Sequence, residues 1–211
     1  MATGVIKNNT LLAIETEVTE GTYVAPSGTG VYCQTLEGLD FTPAREVIDR
    51  ALLDDSIGKE TPRMGMKSAS GSIPVEFRAN GTAGAAPDFD LLLKGALGTV
   101  RNGTATTAKN TSHSTTVINI EDADISKYSV GDCVLVKQSG AYEIRPITAV
   151  DTTSSSADIT LGFALSGAPS NTVQLEAFRT YYPSNTAHPS LSISTYWGNT
   201  IRQALLGAKV T

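Results

Sequence analysis

The chain has 211 residues, enough for one large domain or two small ones around a real core. Apolar residues make up 40% and charged residues 18%, which excludes a disordered tail, and no apolar run reaches the length of a membrane span. The formal charge is −5, and residues 1–60 alone carry ten carboxylates against four basic side chains, which speaks against the clustered Lys and Arg of a nucleic-acid grip.

The 46 Ser plus Thr and 19 Gly favour strands joined by many turns. The opening, MATGVIKNNTLLAIE, lacks a basic stretch followed by an apolar one, so no secretory signal is expected and the Asn-x-Ser/Thr triplets at Asn8, Asn80, Asn102 and Asn110 are read as chance. In that setting Cys33 and Cys133, a hundred residues apart, are expected as two reduced thiols.

TLLAIETEVT at 10–19 alternates as a strand, with Leu12, Ile14, Thr16 and Val18 on one face and Ala13, Glu15, Glu17 and Thr19 on the other. A turn-rich loop, GTYVAPSGTG, follows. VYCQTLEGLDF at 31–41 extends again. Glu46–Leu53 is expected to return as its partner, with the turn near Thr42–Arg45, although AREVIDRALLD also fits a helical face. DDSIGKETPRMGMK at 54–67 is polar, carries Pro62 and two glycines, and is expected as an open loop. SASGSIPVEFR at 68–78 alternates as a strand, with Pro74 suited to an edge or bulge.

ANGTAGAAPDFDLLLKGALG then poses a choice between a phosphate cradle and a hinge. Pro87 has no N–H to offer an anion, and Asp88 and Asp90 repel one. A hinge is therefore expected, leading to a helix over about 87–97 that Gly98 stops, with Phe89, Leu92, Leu93, Ala96 and Leu97 on its apolar face. Beyond it, short strands at 116–120, 133–137, 142–150, 157–163 and 173–178, separated by turn signals, have the spacing of a small barrel or sandwich. SLSISTYWGNTIRQALLGAKV closes the chain as a strand, a turn at WGNT and a return.

No catalytic constellation stands out, so no enzyme, cofactor or metal is expected. His113 and His188, the two histidines, are read as surface polar residues. EDADIS at 121–126 lacks the glycine and distal glutamate of a calcium loop and is read as a solvated turn. Glu15 and Glu17, two apart on one strand face, are read as charged surface, and Trp197 as packing or interface.

Four blocks in this order resemble the tail tube (major tail) proteins of long-tailed, non-contractile bacteriophages. They are LLAIETEVTEGTYVAP, LEGLDFTPAREVIDRALL, SGSIPVEFRANGTAGAAPDFDLLLKGALG and SLSISTYWGNTIRQALLGAKVT, together covering about 1–100 and 188–211. Chains of this type typically continue with further strands where this sequence ends, so a compact variant and a shortened chain both fit.

The resemblance implies a mainly β fold: a tail-tube-like β-sandwich or barrel subunit with one flanking helix. Its tube-forming core is expected over 1–100 plus 188–211, and 101–187 as an inserted β-rich subdomain on the outside. Such subunits assemble into hexameric rings stacked as a hollow tube in the virion tail, put together in the host cytoplasm. The implied partners are further copies of the chain, tape-measure proteins and tail-terminator or tip proteins, with DNA only in transit and no membrane. Six copies at −5 give −30 per ring, and a negative lumen lets DNA slide without adhering. Glu15, Glu17, Glu37, Asp40 and Glu76 are the candidate acidic lumen residues. Asp54, Asp55, Lys59, Glu60, Arg63, Met64, Met66 and Lys67 are the candidate contact to the next ring. The competing readings are a carbohydrate- or receptor-binding β module, with Trp197, Tyr181 and Tyr182 as platforms, and a hydrolase using Glu15, Glu17 or Glu76.

Overall fold

In the computed structural model, which describes residues 10–27, 32–49, 61–138, 140–152, 157–198 and 201–211, the chain divides into two compact units. Unit 1 is Met1–Phe77 with Leu191–Ala208, and unit 2 is Arg78–Ser190 with Lys209–Thr211. Unit 1 begins with β1 (Thr10–Thr16), β2 (Tyr32–Cys33), β3 (Asp40–Ile48) and β4 (Arg63–Ser72). Unit 2 follows with helix α1 (Asp90–Leu97), β5 (Gly98–Gly103), β6 (Thr106–Thr107), β7 (Val117–Ile120), a 3-10 turn (Ile125–Lys127) and β8 (Cys133–Gln138). It continues with β9 (Ala141–Asp151), β10 (Ala157–Leu161), β11 (Gln174–Glu176) and β12 (Phe178–Pro183). The chain re-enters unit 1 as β13 (Leu191–Trp197) and β14 (Ile201–Ala208).

The four-stranded sheet of unit 1 runs β14-β13-β1-β2, with antiparallel ladders throughout. β13 is its buried centre: Leu191 to Thr195 are all buried, and the alternating serines are small enough to pack. Opposite it, Ile14 pairs with Ile193 and Leu12 with Thr195. Burying a Leu or Ile side chain contributes about 1.5–3 kcal/mol, so these pairs fix the register. β1 stops at Thr16, sooner than its alternation suggests. Val18, assigned to the apolar face, is 98% exposed, whereas Ala13 on the opposite face is buried.

The second sheet of unit 1 corrects the reading of residues 31–78. β3 and β4 pair as a two-stranded antiparallel ribbon, from Asp40↔Ser72 to Ile48↔Arg63. Thr42–Arg45, expected near a turn, lies mid-strand, and Arg63–Lys67, expected in a loop, is the first half of β4. The strand expected through Arg78 ends at Ser72, after which Val75 makes a single bridge to Thr35. Gly71 is required in the ribbon, since a Cβ there would collide with the Asp40 carbonyl and the Phe41 ring. Asp54, Asp55, Lys59 and Glu60 lie outside the described residues, as does the N-terminal segment 1–9.

In unit 2 the helix is as expected but shorter. Pro87 sits one turn ahead, its carbonyl accepting the Asp90 N–H at 3.0 Å, and α1 starts at Asp90. Gly98 ends it with φ 92°, donating its N–H to the Lys94 carbonyl, as a left-handed glycine at a helix end does. Phe89 is the buried apolar residue of this helix, while Ala96, expected beside it, is exposed.

The six-stranded sheet β6-β11-β8-β9-β10-β7 curls until its two end strands approach, where Ala108 bridges Ile120 and the Lys109 N–H donates to the Asn119 carbonyl at 3.0 Å. Alternation explains the curl. Val134 and Val136, Ile118 and Ile120, and Ala157, Ile159 and Leu161 point to one side and form a single core with Ile147, Leu165, Val173 and Leu175. A sheet closing on itself buries that face and shortens its open edges. β5 and β12 form a separate ribbon in register Phe178↔Gly103 to Pro183↔Gly98.

Candidate functional site

The least satisfied surface of the described residues is the β3–β4 ribbon. Every residue of β4 except Gly65 and every residue of β3 except Phe41 is exposed. Register sorts the side chains into two faces. Phe41, Pro43, Arg45 and Val47 share one with Ala69, Lys67 and Met64, while Asp40, Thr42, Ala44, Glu46 and Ile48 share the other with Ser68, Ser70, Ser72 and Arg63, the register shifting between Arg45 and Val47. One face is apolar with a basic pair; the other is hydroxyl-rich with two carboxylates and ends on Ile48 and Arg63. Val47, Ile48, Met64 and Met66 are 54%, 48%, 58% and 80% exposed, more apolar surface than a lone ribbon stabilises in water. β14 adds an outer strand paired along one side, with Ile201 and Leu206 exposed.

Beside the four-stranded sheet, Thr10, Thr35, Leu36, Glu37, Gly38, Leu39 and Trp197 line an open groove of about 360 Å³. Glu15 is part-buried and accepts the Ser27 N–H at 2.9 Å. Glu17 behaves differently. It is 7% exposed; one oxygen accepts the Gly207 N–H and the Ser192 hydroxyl, both at 2.8 Å, and the other accepts the Gly21 N–H at 2.8 Å. Its carboxylate therefore ties the end of β1 to β13, β14 and the turn that follows, with backbone donors offsetting its burial.

Unit 2 holds two Arg–Asp–Tyr clusters on opposite faces of the β5–β12 ribbon. On one face Arg179 donates through Nε to Asp90 and through Nη1 to the Asn102 side-chain oxygen, both at 2.7 Å, while the Tyr181 hydroxyl donates to Asp90 at 2.5 Å. Burial and the Asp90 carboxylate push the Tyr181 hydroxyl up to about 12. On the other face the fully buried Asp132 accepts from Tyr182 and from the Ser129 N–H at 2.8 Å, with Arg101 Nε at 3.3 Å. Burial and Asp132 raise Tyr182 as well. Both hydroxyls are engaged inside the unit, and both rings are half-buried. No local signal announces either cluster, because Tyr182 and Tyr181 lie 50 and 91 residues from the aspartates they bind.

Among the described residues no group of three or more His, Cys, Asp or Glu is placed to hold a metal ion, and no helix is long and apolar enough to cross a membrane. Neither described cysteine stands in a disulfide, and Cys33 is buried. His113 departs from its expected surface place. It is 9% exposed, its Nδ1 accepts the Asn119 N–H at 3.2 Å, and burial lowers its pKa.

An exposed ribbon and an outer strand are features of a chain that joins others. The sequence matches the phage tail tube protein family over residues 7–196. The chain belongs to that family. It is a structural, non-enzymatic protein of the virion tail. No curated protein and no solved structure matches it. In this tail tube chain the carboxylates singled out from the sequence do not gather into one site. Glu37, Asp40 and Glu76 are exposed, Glu15 is part-buried and Glu17 is buried. Arg63, Met64, Met66 and Lys67 stand on β4, exposed.

Proposed function

We propose that the chain assembles into hexameric rings that stack into the hollow tail tube, through which DNA passes during ejection. The β3–β4 ribbon carries the reading: it is long, exposed on both faces, and amphipathic; neighbouring copies that cover its apolar face would bury its exposed side chains, and those that pair along its strands would remove its open edges. The face of Asp40, Thr42, Glu46, Ser68, Ser70 and Ser72 then lines the bore, wet and mildly acidic, beside which phosphate backbones slide without gripping. Glu15, Glu37 and Glu76 are further candidates for the bore. Glu17 belongs to the proposed set too, but its carboxylate is engaged within the subunit. Arg63, Met64, Met66 and Lys67 contact the next ring, the methionines serving as adaptable apolar contacts.

In the same proposal residues 1–100 and 188–211 build the tube and 101–187 decorates its outside. Tape-measure and terminator or tip proteins meet the tube at its inside and ends. Helical image reconstruction of the concentrated protein tests the reading. Six-fold rings with the β3–β4 ribbon at the bore are expected; a discrete monomer at every concentration, or a ribbon pointing away from the axis, overturns it.

A further inference from the structure

His188 lies two residues before Ser190, where the chain leaves unit 2 for β13. Its ring is at the surface, yet both nitrogens face acceptors. Nδ1 is 2.8 Å from the Gly95 carbonyl oxygen and Nε2 is 2.6 Å from the Ser184 carbonyl oxygen. A carbonyl oxygen only accepts, so both nitrogens must donate, and only the imidazolium carries a proton on each. Either neutral tautomer turns a lone pair toward one of these oxygens and loses that bond.

The surroundings are shaped for this contact. Gly95 belongs to the last turn of α1, where carbonyls lack helical partners and partial negative charge collects. A Cβ on Gly98 would crowd the Thr186 carbonyl, Ser184 and the His188 ring, so the glycine lets the loop close over the helix end. The Ser184 N–H donates to the Leu97 carbonyl at 2.8 Å, docking the start of the same loop. Ala187 holds φ 65°, a left-handed conformation that costs an L-residue energy, immediately before the histidine.

We propose that His188 is a protonation-dependent clasp: as imidazolium it pins the 184–190 return segment to the C-terminal end of α1, and as neutral imidazole it releases one of the two carbonyls. Gly95, Gly98, Ser184 and Thr186, which surround the ring, do not titrate. Lys94 precedes Gly95 on the helix, and Lys209 acts on the ring and disfavours its cation. The Gly95 carbonyl, then that of Ser184, outweighs partial desolvation and Lys209, and holds the ring above its ordinary 6.5. A raised folded value means the clasp is complete below about pH 6.5 and is lost as pH climbs through that raised value. His113 supplies an internal contrast, since an N–H donates into its Nδ1 and its pKa is lowered.

Imidazole nitrogen NMR on the full chain, with H113N assigning the two rings, tests the first half. His188 is expected to carry protons on both nitrogens below about pH 6.5 and to titrate above 6.5, opposite to His113; a His188 midpoint at or below 6.5 overturns the clasp. Hydrogen exchange of the peptide spanning 184–190, corrected for intrinsic rate, tests the second. Protection should fall several-fold from about pH 6 to about pH 9 in the parent and stay flat in H188Q, whose amide does not titrate. Parallel curves in the two proteins overturn the proposal.

Discussion

At the residue scale, the most consequential group is one that its sequence context misrepresents. Glu17 follows an apolar strand in alternation with Glu15, and nothing local distinguishes a surface carboxylate from a buried one whose donors are 4, 175 and 190 positions away. Glu17→Gln exchanges one accepting oxygen for an amide that faces donors and leaves a part-buried N–H unsatisfied. A loss of about 2 kcal/mol in denaturant stability is expected, and a variant within about 0.5 kcal/mol of the parent removes the anchoring role. Tyr181 gives a pH signature. Burial first, then the Asp90 carboxylate, raises its hydroxyl from 10.0 to about 12. The protonated form is thus favoured by folding, and its contribution is full below pH 10 and lost as pH rises toward about 12. Absorbance titration of the seven tyrosines should show late-ionising members, and Asp90→Asn should bring one of them earlier. Phenolates that all form together near pH 10 contradict the cluster.

At the element scale, legibility follows how local the signal is. The strands of unit 2 are visible because Val134/Val136 and Ile118/Ile120 alternate cleanly against one core, and the helix because Asp90, Lys94 and Gly98 mark its ends. The β3–β4 ribbon is visible only in part: Ser68–Ser72 alternates as the strand it is, but Pro43 in β3 and Gly65 in β4 carry turn and loop chemistry, and those halves make strands only because each strand supplies the other's ladder. Pro43 has no N–H to give, which a two-stranded ribbon tolerates because each strand has an open side. The same openness makes the ribbon the sensitive element for assembly. Val47 and Met64 are cross-strand neighbours and more than half exposed, so neither contributes much to the fold of a single copy. Val47→Asp or Met64→Asp should leave thermal stability of the unassembled chain within about 0.5 kcal/mol while abolishing tubes in micrographs. Tubes of normal length in both variants would move the assembly surface elsewhere.

At the scale of the whole molecule, the chain interrupts one sheet to build another. β1 finds its partner in β13, and between them the sequence makes a unit with its own closed core, drawn from residues 108 to 178. Among the described residues fifteen buried side chains form that core, all of them in unit 2. The Asp132 and Asp90 clusters likewise find all their partners inside unit 2. A unit whose apolar core and Asp clusters both find their partners internally should not need the rest of the chain. Residues 78–190 expressed alone are therefore expected to unfold cooperatively, with a stability on the order of 5–15 kcal/mol and the late-titrating tyrosines retained. Unit 1 is built on the opposite plan. Its four-stranded sheet has a buried centre, but its ribbon stays exposed, so its stability should climb with protein concentration as copies cover one another. Denaturation of the intact chain at increasing concentration separates the two. The transition reported by Trp197, in β13 of unit 1, should shift upward, while that reported by the unit 2 tyrosines stays fixed. If residues 78–190 do not fold by themselves, or if both transitions move together with concentration, the two units share one fate and assembly is not a property of unit 1.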